Sequence, residues 1–155
     1  MEKIVVGVDG SAASMDAVEW AVREARAHGA RLDVVLAWEF PPPADVYDYP
    51  TREDLEVEAT AQLAKVMDDL DTTDLAITSR CVEGSPAVVL QAASTDADLL
   101  VVGANGHGAF VGMLLGSVSL RVVTHATVPV VVVPCEDSTN PKHHKIGEVH
   151  GSKRR

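Results

Sequence analysis

Cysteine is scarce: Cys81 and Cys135 are the only two in 155 residues, and they form no C-x-x-C pair. That number and separation exclude a disulfide framework and a recognisable zinc site, and both are expected to be buried, reduced thiols. Positive charge is scarce too, with 13 Lys/Arg against 23 Asp/Glu and a formal net charge of −10. The deficit lies in residues 1–135, which carry 8 Lys/Arg against 20 Asp/Glu, whereas residues 136–155 carry 5 against 3. An acidic surface repels nucleic-acid backbones and anionic membranes, so neither is an expected partner, and any polyanion must be held by local backbone donors. No apolar run approaches the roughly 20 residues that span a bilayer. Met1-Glu2-Lys3 runs straight into a strand-like stretch rather than a leader, so a cytoplasmic location is expected. Two phosphate motifs are also missing. There is no G-x-x-x-x-G-K-[ST], and the first βα turn has no G-x-G-x-x-G.

What is present is aliphatic. Hydrophobic residues make up 46% of the chain and aromatics only 4%, enough for one sizeable core and too little chain for two ordinary domains. Five runs read as strands: Lys3–Val8, Leu32–Trp38, Leu75–Val82, Leu99–Val102 and Val130–Val133. They are apolar on both faces, as strands covered by helices on two sides must be. Helical patterns separate them. One follows Asp9-Gly10-Ser11, carries Met15, Val18, Val22 and Ala25, and stops at Gly29. A second runs from about residue 52 to 70 with Leu55, Ala59, Leu63, Val66 and Leu70 on one stripe. A third starts at Ser85-Pro86, a side-chain oxygen cap followed by a first-turn proline, with Val88, Val89 and Ala92 on one side. A fourth spans about 117–125. The alternation βαβαβαβαβ predicts a single-domain α/β fold, an open parallel five-stranded sheet with right-handed crossovers and helices on both faces. Residues 1–135 form that domain, and the polar 136–155 tail is expected to be disordered. The proline-rich 41–50 segment reads equally as a lid over the exit of the second strand or as a plain surface connection.

The sharpest local feature lies behind Leu99-Leu100-Val101-Val102. Gly103-Ala104-Asn105-Gly106 is followed, after nine residues that begin His107-Gly108-Ala109, by Gly116-Ser117-Val118-Ser119. A buried strand thus empties into a glycine loop that leads to a helix start. Glycines let backbone N–H groups approach an anion, Ser117 and Ser119 add hydroxyl donors, and the helix adds the positive end of its dipole. Together these make a phosphate cradle. In an open α/β sheet, ligands bind beyond the carboxyl ends of the strands where neighbouring connections diverge. If the first and fourth strands are neighbours, Asp9 faces the cradle. Asp9 can accept from an adenine amino group or a ribose hydroxyl, or help hold Mg²⁺; supporting the helix start is its alternative role. His107, inside the cradle, either meets a phosphate or is a solvated bystander, and Arg121 either competes for that contact or pairs with a surface acid.

The combination of Gly103-x2-Gly106-x9-Gly116-Ser117, the opening Ile4-Val5-Val6-Gly7-Val8-Asp9-Gly10-Ser11 and the closing Val128-Pro129-Val130-Val131-Val132-Val133 resembles the universal stress protein family, over residues 1 to about 135. The resemblance implies an adenine nucleotide alpha hydrolase-like, Rossmann- or flavodoxin-like domain of the ATP-binding branch, dimeric, and associated with stress, dormancy or growth control. It implies that Asp9 contacts the nucleoside, with Gly7 two residues before it on the strand, and that the main chain at Trp38 addresses adenine. It also implies that Gly103, Ala104, Asn105, Gly106, His107, Gly108, Ala109, Gly116, Ser117, Val118 and Ser119 surround phosphate and ribose. ATP, with Mg²⁺ at Asp9, is the implied cofactor; AMP or cAMP is the alternative, since no lysine reaches for a γ-phosphate. The sequence supplies no lysine for the transferring phosphoryl group and no compelling Ser-His-Asp order, so at most a weak ATPase is expected. A binding module with a vestigial pocket is the remaining alternative. The bare Val130–Val133 strand would pair with a two-fold partner, giving a homodimer, or be covered by the tail.

Overall fold

The computed structural model describes residues 1–40, 50–106 and 114–135. Among the described residues nine elements alternate: β1 (Lys3–Val8), α1 (Ala12–His28), β2 (Arg31–Trp38), α2 (Arg52–Asp68), β3 (Ile77–Glu83), α3 (Pro86–Ala93), β4 (Leu99–Gly103), α4 (Ser117–His125) and β5 (Val130–Val133). All neighbouring strands run parallel, in the order β3-β2-β1-β4-β5. The fold is therefore the expected single-domain α/β sheet. The period-two alternation of the strands splits the core into two layers. Ile4, Val6, Leu32, Val34, Leu36, Leu99 and Val101 face α1 and α2, while Val5, Val35, Leu100 and Val102 face α3 and α4.

Local chemistry explains where the elements begin and end. Ser11 caps α1 by accepting from Ser14 N–H, and Gly29 ends it in the left-handed region at φ 62°. Thr51 and Asp54 form a reciprocal capping box on α2. At the base of the sheet the Asp98 carboxylate accepts the Glu2 and Lys3 amides at 2.5 and 3.0 Å, which holds its carboxyl below the usual carboxylate range.

Five expectations are corrected. β3 starts at Ile77, not Leu75, because Asp74 sits at φ 64° and Leu75 N–H closes a turn onto Thr72. It is also an edge strand with Thr78, Ser79 and Arg80 exposed, so it is not apolar on both faces. In α3 the inward residues are Ala87, Val89, Leu90 and Ala93, while Val88 is 57% exposed, and Ser85 makes no side-chain cap. Both cysteines are half-buried.

Candidate functional site

β1 and β4 lie side by side at the centre of the sheet, and their connections leave toward opposite faces, so a crevice opens where both strands end. On one wall, the Asp9 Oδ1 atom accepts from Ser11 N–H at 2.9 Å and from Ser11 Oγ at 2.5 Å. These bonds fix the carboxylate above the helix start. The Asp9 carbonyl oxygen accepts from Gln62 Nε2 of α2 at 2.7 Å.

The opposite wall is the glycine loop. A Cβ at Gly103 would lie 2.7 Å from the backbone carbon and oxygen of Ala13, so only glycine lets β4 pass this close to the first turn of α1. A Cβ at Gly106 would lie 2.5 Å from Asp9 Oδ2, which places the acid directly against the loop. Gly116 is different, since its added Cβ would meet nothing closer than 3.5 Å.

Between the walls is a cavity of about 450 Å³, within the range of small-molecule sites. Val35, Ala37, Pro86, Leu90 and Val102 form its apolar side. Asp9 is the one charged residue among the described residues that line it. Ser117, Val118 and Ser119 line the other side as the first turn of α4. Their amides are the ones a helix start leaves without an intrahelical acceptor, and among the described residues no side chain caps them, so the donor end of α4 borders the cavity. Beside them Asn105 Oδ1 is buried without a donor, a cost of about 1–3 kcal/mol for such a group.

Gly7, Asp9, Gly103, Asn105, Gly106, Gly116, Ser117, Val118 and Ser119 thus converge on one cavity. Other expected residues are placed elsewhere. Ala104 is buried behind the lining, donating its N–H to Val133 O and accepting from Gly116 N–H, so the Gly116 amide is already used inside the loop. The Ser119 hydroxyl points to Ala104 O at 2.7 Å and Gly116 O at 3.0 Å, which makes it a brace of the loop rather than a hydroxyl donor to a ligand. Trp38 is not among the lining residues. It packs toward the α1/α2 layer, its carbonyl accepts from Gly84 N–H at 2.8 Å, and the preceding Ala37 lines the cavity instead. Arg121 is exposed and is not among the lining residues either. His107, Gly108 and Ala109, most of the 41–50 segment (41–49) and the 136–155 tail lie outside the described residues.

Sequence reasoning missed Val35, Ala37, Pro86, Leu90 and Gln62. The signal for Val35 and Ala37 was present, since alternation puts them on one face of β2; nothing local marked Gln62. Among the described residues no group of three or more His, Cys, Asp or Glu could hold a metal ion, and no helix is long and apolar enough to cross a membrane. Burial raises the Cys81 thiol above its ordinary value, with a Thr60 hydrogen bond opposing the rise and the Glu56 carboxylate adding to it.

The model of the universal stress protein family matches residues 1–134. A universal stress protein of Mycolicibacterium smegmatis is 38% identical over 136 residues, covering 84% of this chain and 45% of the relative. One of Mycobacterium tuberculosis is 34% identical over 148 residues, covering 89% of this chain and 49% of the relative. The chain spans about half the length of these curated relatives. Among solved structures, a universal stress protein in complex with cAMP is 32% identical, with a TM-score of 0.65 over 86% of this chain and 97% of that one.

Proposed function

The chain belongs to the universal stress protein family, and from that premise we propose that its cavity binds an adenine nucleotide and that the domain acts as a nucleotide-responsive regulator of stress or growth state. The observation that carries this reading is the pairing of unlike walls: the uncapped amide end of α4 and the carboxylate of Asp9, held by Ser11, line the same largely apolar cavity. Amides suit phosphate oxygens, the Val35, Ala37 and Leu90 side suits a purine, and Asp9 suits the hydroxyls or amino group of the nucleoside. The volume and the donor set fit such a ligand. The glycine spacing favours ATP, for which phosphates and water would complete the shell of a Mg²⁺ beside Asp9. With no lysine or arginine among the described lining residues, hydrolysis would be slow at most.

A second reading has one observation in its favour. The described lining offers no cationic side chain, which suits a ligand of low charge, and the 32% identical relative is known in complex with cAMP. Thermal unfolding with equal concentrations of ATP, ADP, AMP and cAMP, with and without Mg²⁺, separates the readings, because the tightest ligand raises apparent stability most. ATP protecting best, and better with Mg²⁺, supports the first reading. cAMP protecting best supports the second, and no protection by any of the four removes both.

The same proposal extends to a homodimer joined through β5. That strand is an edge of the sheet with four half-buried valines, and Val88, Leu120 and Val123 are exposed on the helices of the α3/α4 face. A two-fold partner would satisfy both the strand and the apolar surface. Sedimentation equilibrium giving a monomer mass at all accessible concentrations would remove the dimer.

A further inference from the structure

We propose that Gln62 is a positioning residue for the cavity, holding the Asp9–Gly10 peptide so that the Asp9 carboxylate stands where a ligand meets it; this rests on the nucleotide reading above. Gln62 lies 53 residues from Asp9 in sequence and belongs to α2, which otherwise packs on β2 and β3 through residues such as Ala59, Leu63 and Val66. Its amide nitrogen donates to the Asp9 carbonyl at 2.7 Å in a half-buried setting.

The fit depends on Gly10 as well. Gly10 sits at φ 77°, and the space where a Cβ would project is filled by the Gln62 amide. One glycine therefore meets two demands, a left-handed turn and the close approach of a side chain from another helix. Without the Gln62 donor, the Asp9 carbonyl loses a half-buried partner and the glycine regains its large conformational freedom. Ser11 is anchored as the N-cap of α1, so a freed Asp9–Gly10 peptide moves relative to it and loosens the Asp9 Oδ1 bonds to Ser11 that hold the carboxylate. Gln62 thus acts on the ligand through Asp9, and its effect is one of pre-organisation.

The test is Gln62→Met, which keeps length and approximate volume but removes the donor. Isothermal titration with ATP and with cAMP is expected to show affinity falling about three- to tenfold, the worth of one neutral hydrogen bond. In an Asp9→Ala background the same substitution is expected to cost nothing further, because there is no carboxylate left to place. Amide exchange gives the readout in the unliganded protein: the Ser11 N–H, bonded to Asp9 Oδ1, is expected to exchange faster in Gln62→Met while amides of β1 and β4 keep their protection. Unchanged Ser11 exchange overturns the role of Gln62 whether or not nucleotide binds. An equal affinity loss with and without the Asp9 carboxylate also overturns it, in favour of general packing. A wild-type protein that takes up neither ATP nor cAMP overturns the nucleotide reading, and with it any ligand for Gln62 to serve.

Discussion

Gly103→Ala is expected to lower the unfolding free energy by about 3 kcal/mol, the upper end of what over-packing a filled interior costs. The reason is what the new methyl would strike. It would lie 2.7 Å from the carbon and oxygen of Ala13 and 2.9 Å from the nitrogen of Ser14, all main-chain atoms in the first turn of α1. A flexible side chain could swing aside, but this helix start is pinned by the Ser11 cap and by the buried Ala13 and Ser14. Either α1 tilts off the sheet or β4 withdraws from β1, and both movements open the buried layer between α1 and the sheet. Gly116→Ala is the matched comparison, with no contact closer than 3.5 Å and an ordinary backbone. Its cost should stay below about 1 kcal/mol, the loss of a favoured N-cap residue. Urea unfolding of the two variants checks the argument: similar losses at both positions would show that the close approach of β4 to α1 is not what glycine provides.

Asp9→Ala is expected to weaken nucleotide binding by about 10- to 100-fold, as follows from losing a charged hydrogen-bonding group worth about 1.5–3 kcal/mol. The effect includes the loss of the Ser11 tie, since Asp9 Oδ1 accepts both donors of that residue. Gly106→Ala should produce a loss of similar size by a different route. Its methyl would press on Asp9 Oδ2 at 2.5 Å and drive the carboxylate out of position, without a left-handed backbone to strain. Because both changes act through one carboxylate, they should be strongly non-additive, with Gly106→Ala adding little once Asp9 is alanine. Titration calorimetry on the two single variants and the double variant measures this coupling. Fully additive losses would mean that the glycine serves the ligand directly and that its contact with Asp9 is incidental.

The architecture was legible because its signals are local and repetitive. Valine-rich runs at regular spacing, interrupted by Gly10, Gly29 and the Ser85-Pro86 pair, are enough to order strands and helices. That Asp9 and residues 103, 105, 106 and 116–119 line one cavity was legible for a related reason, since in a parallel sheet the ends of adjacent strands must face each other. What escaped depends on which neighbour a side chain finds. Val88 looks like a core residue by type but points outward, because Ala87 and Leu90 take the inward positions of a short helix. Ser119 looks like a ligand donor, yet its hydroxyl is used by carbonyls within the loop that local pattern cannot show to be close. The parity of β2 decides between Ala37 and Trp38, and the larger residue falls on the helix-covered face away from the cavity. Gln62 could not be found from pattern at all, because a polar residue on an amphipathic helix ordinarily faces water and only tertiary packing brings it over Gly10.

The two borders of the sheet differ in chemistry. Along β3, Thr78, Ser79, Arg80 and Glu83 are exposed, and Arg80 is drawn back to the buried Asp33 at 2.7 Å; along β5 there are only valines. Endless lateral stacking of sheets into fibrils needs two adhesive borders, and a hydrated, ion-paired one ends propagation. If β5 pairs with a second copy as proposed, the polar β3 border would act as a terminator and stop association at pairs.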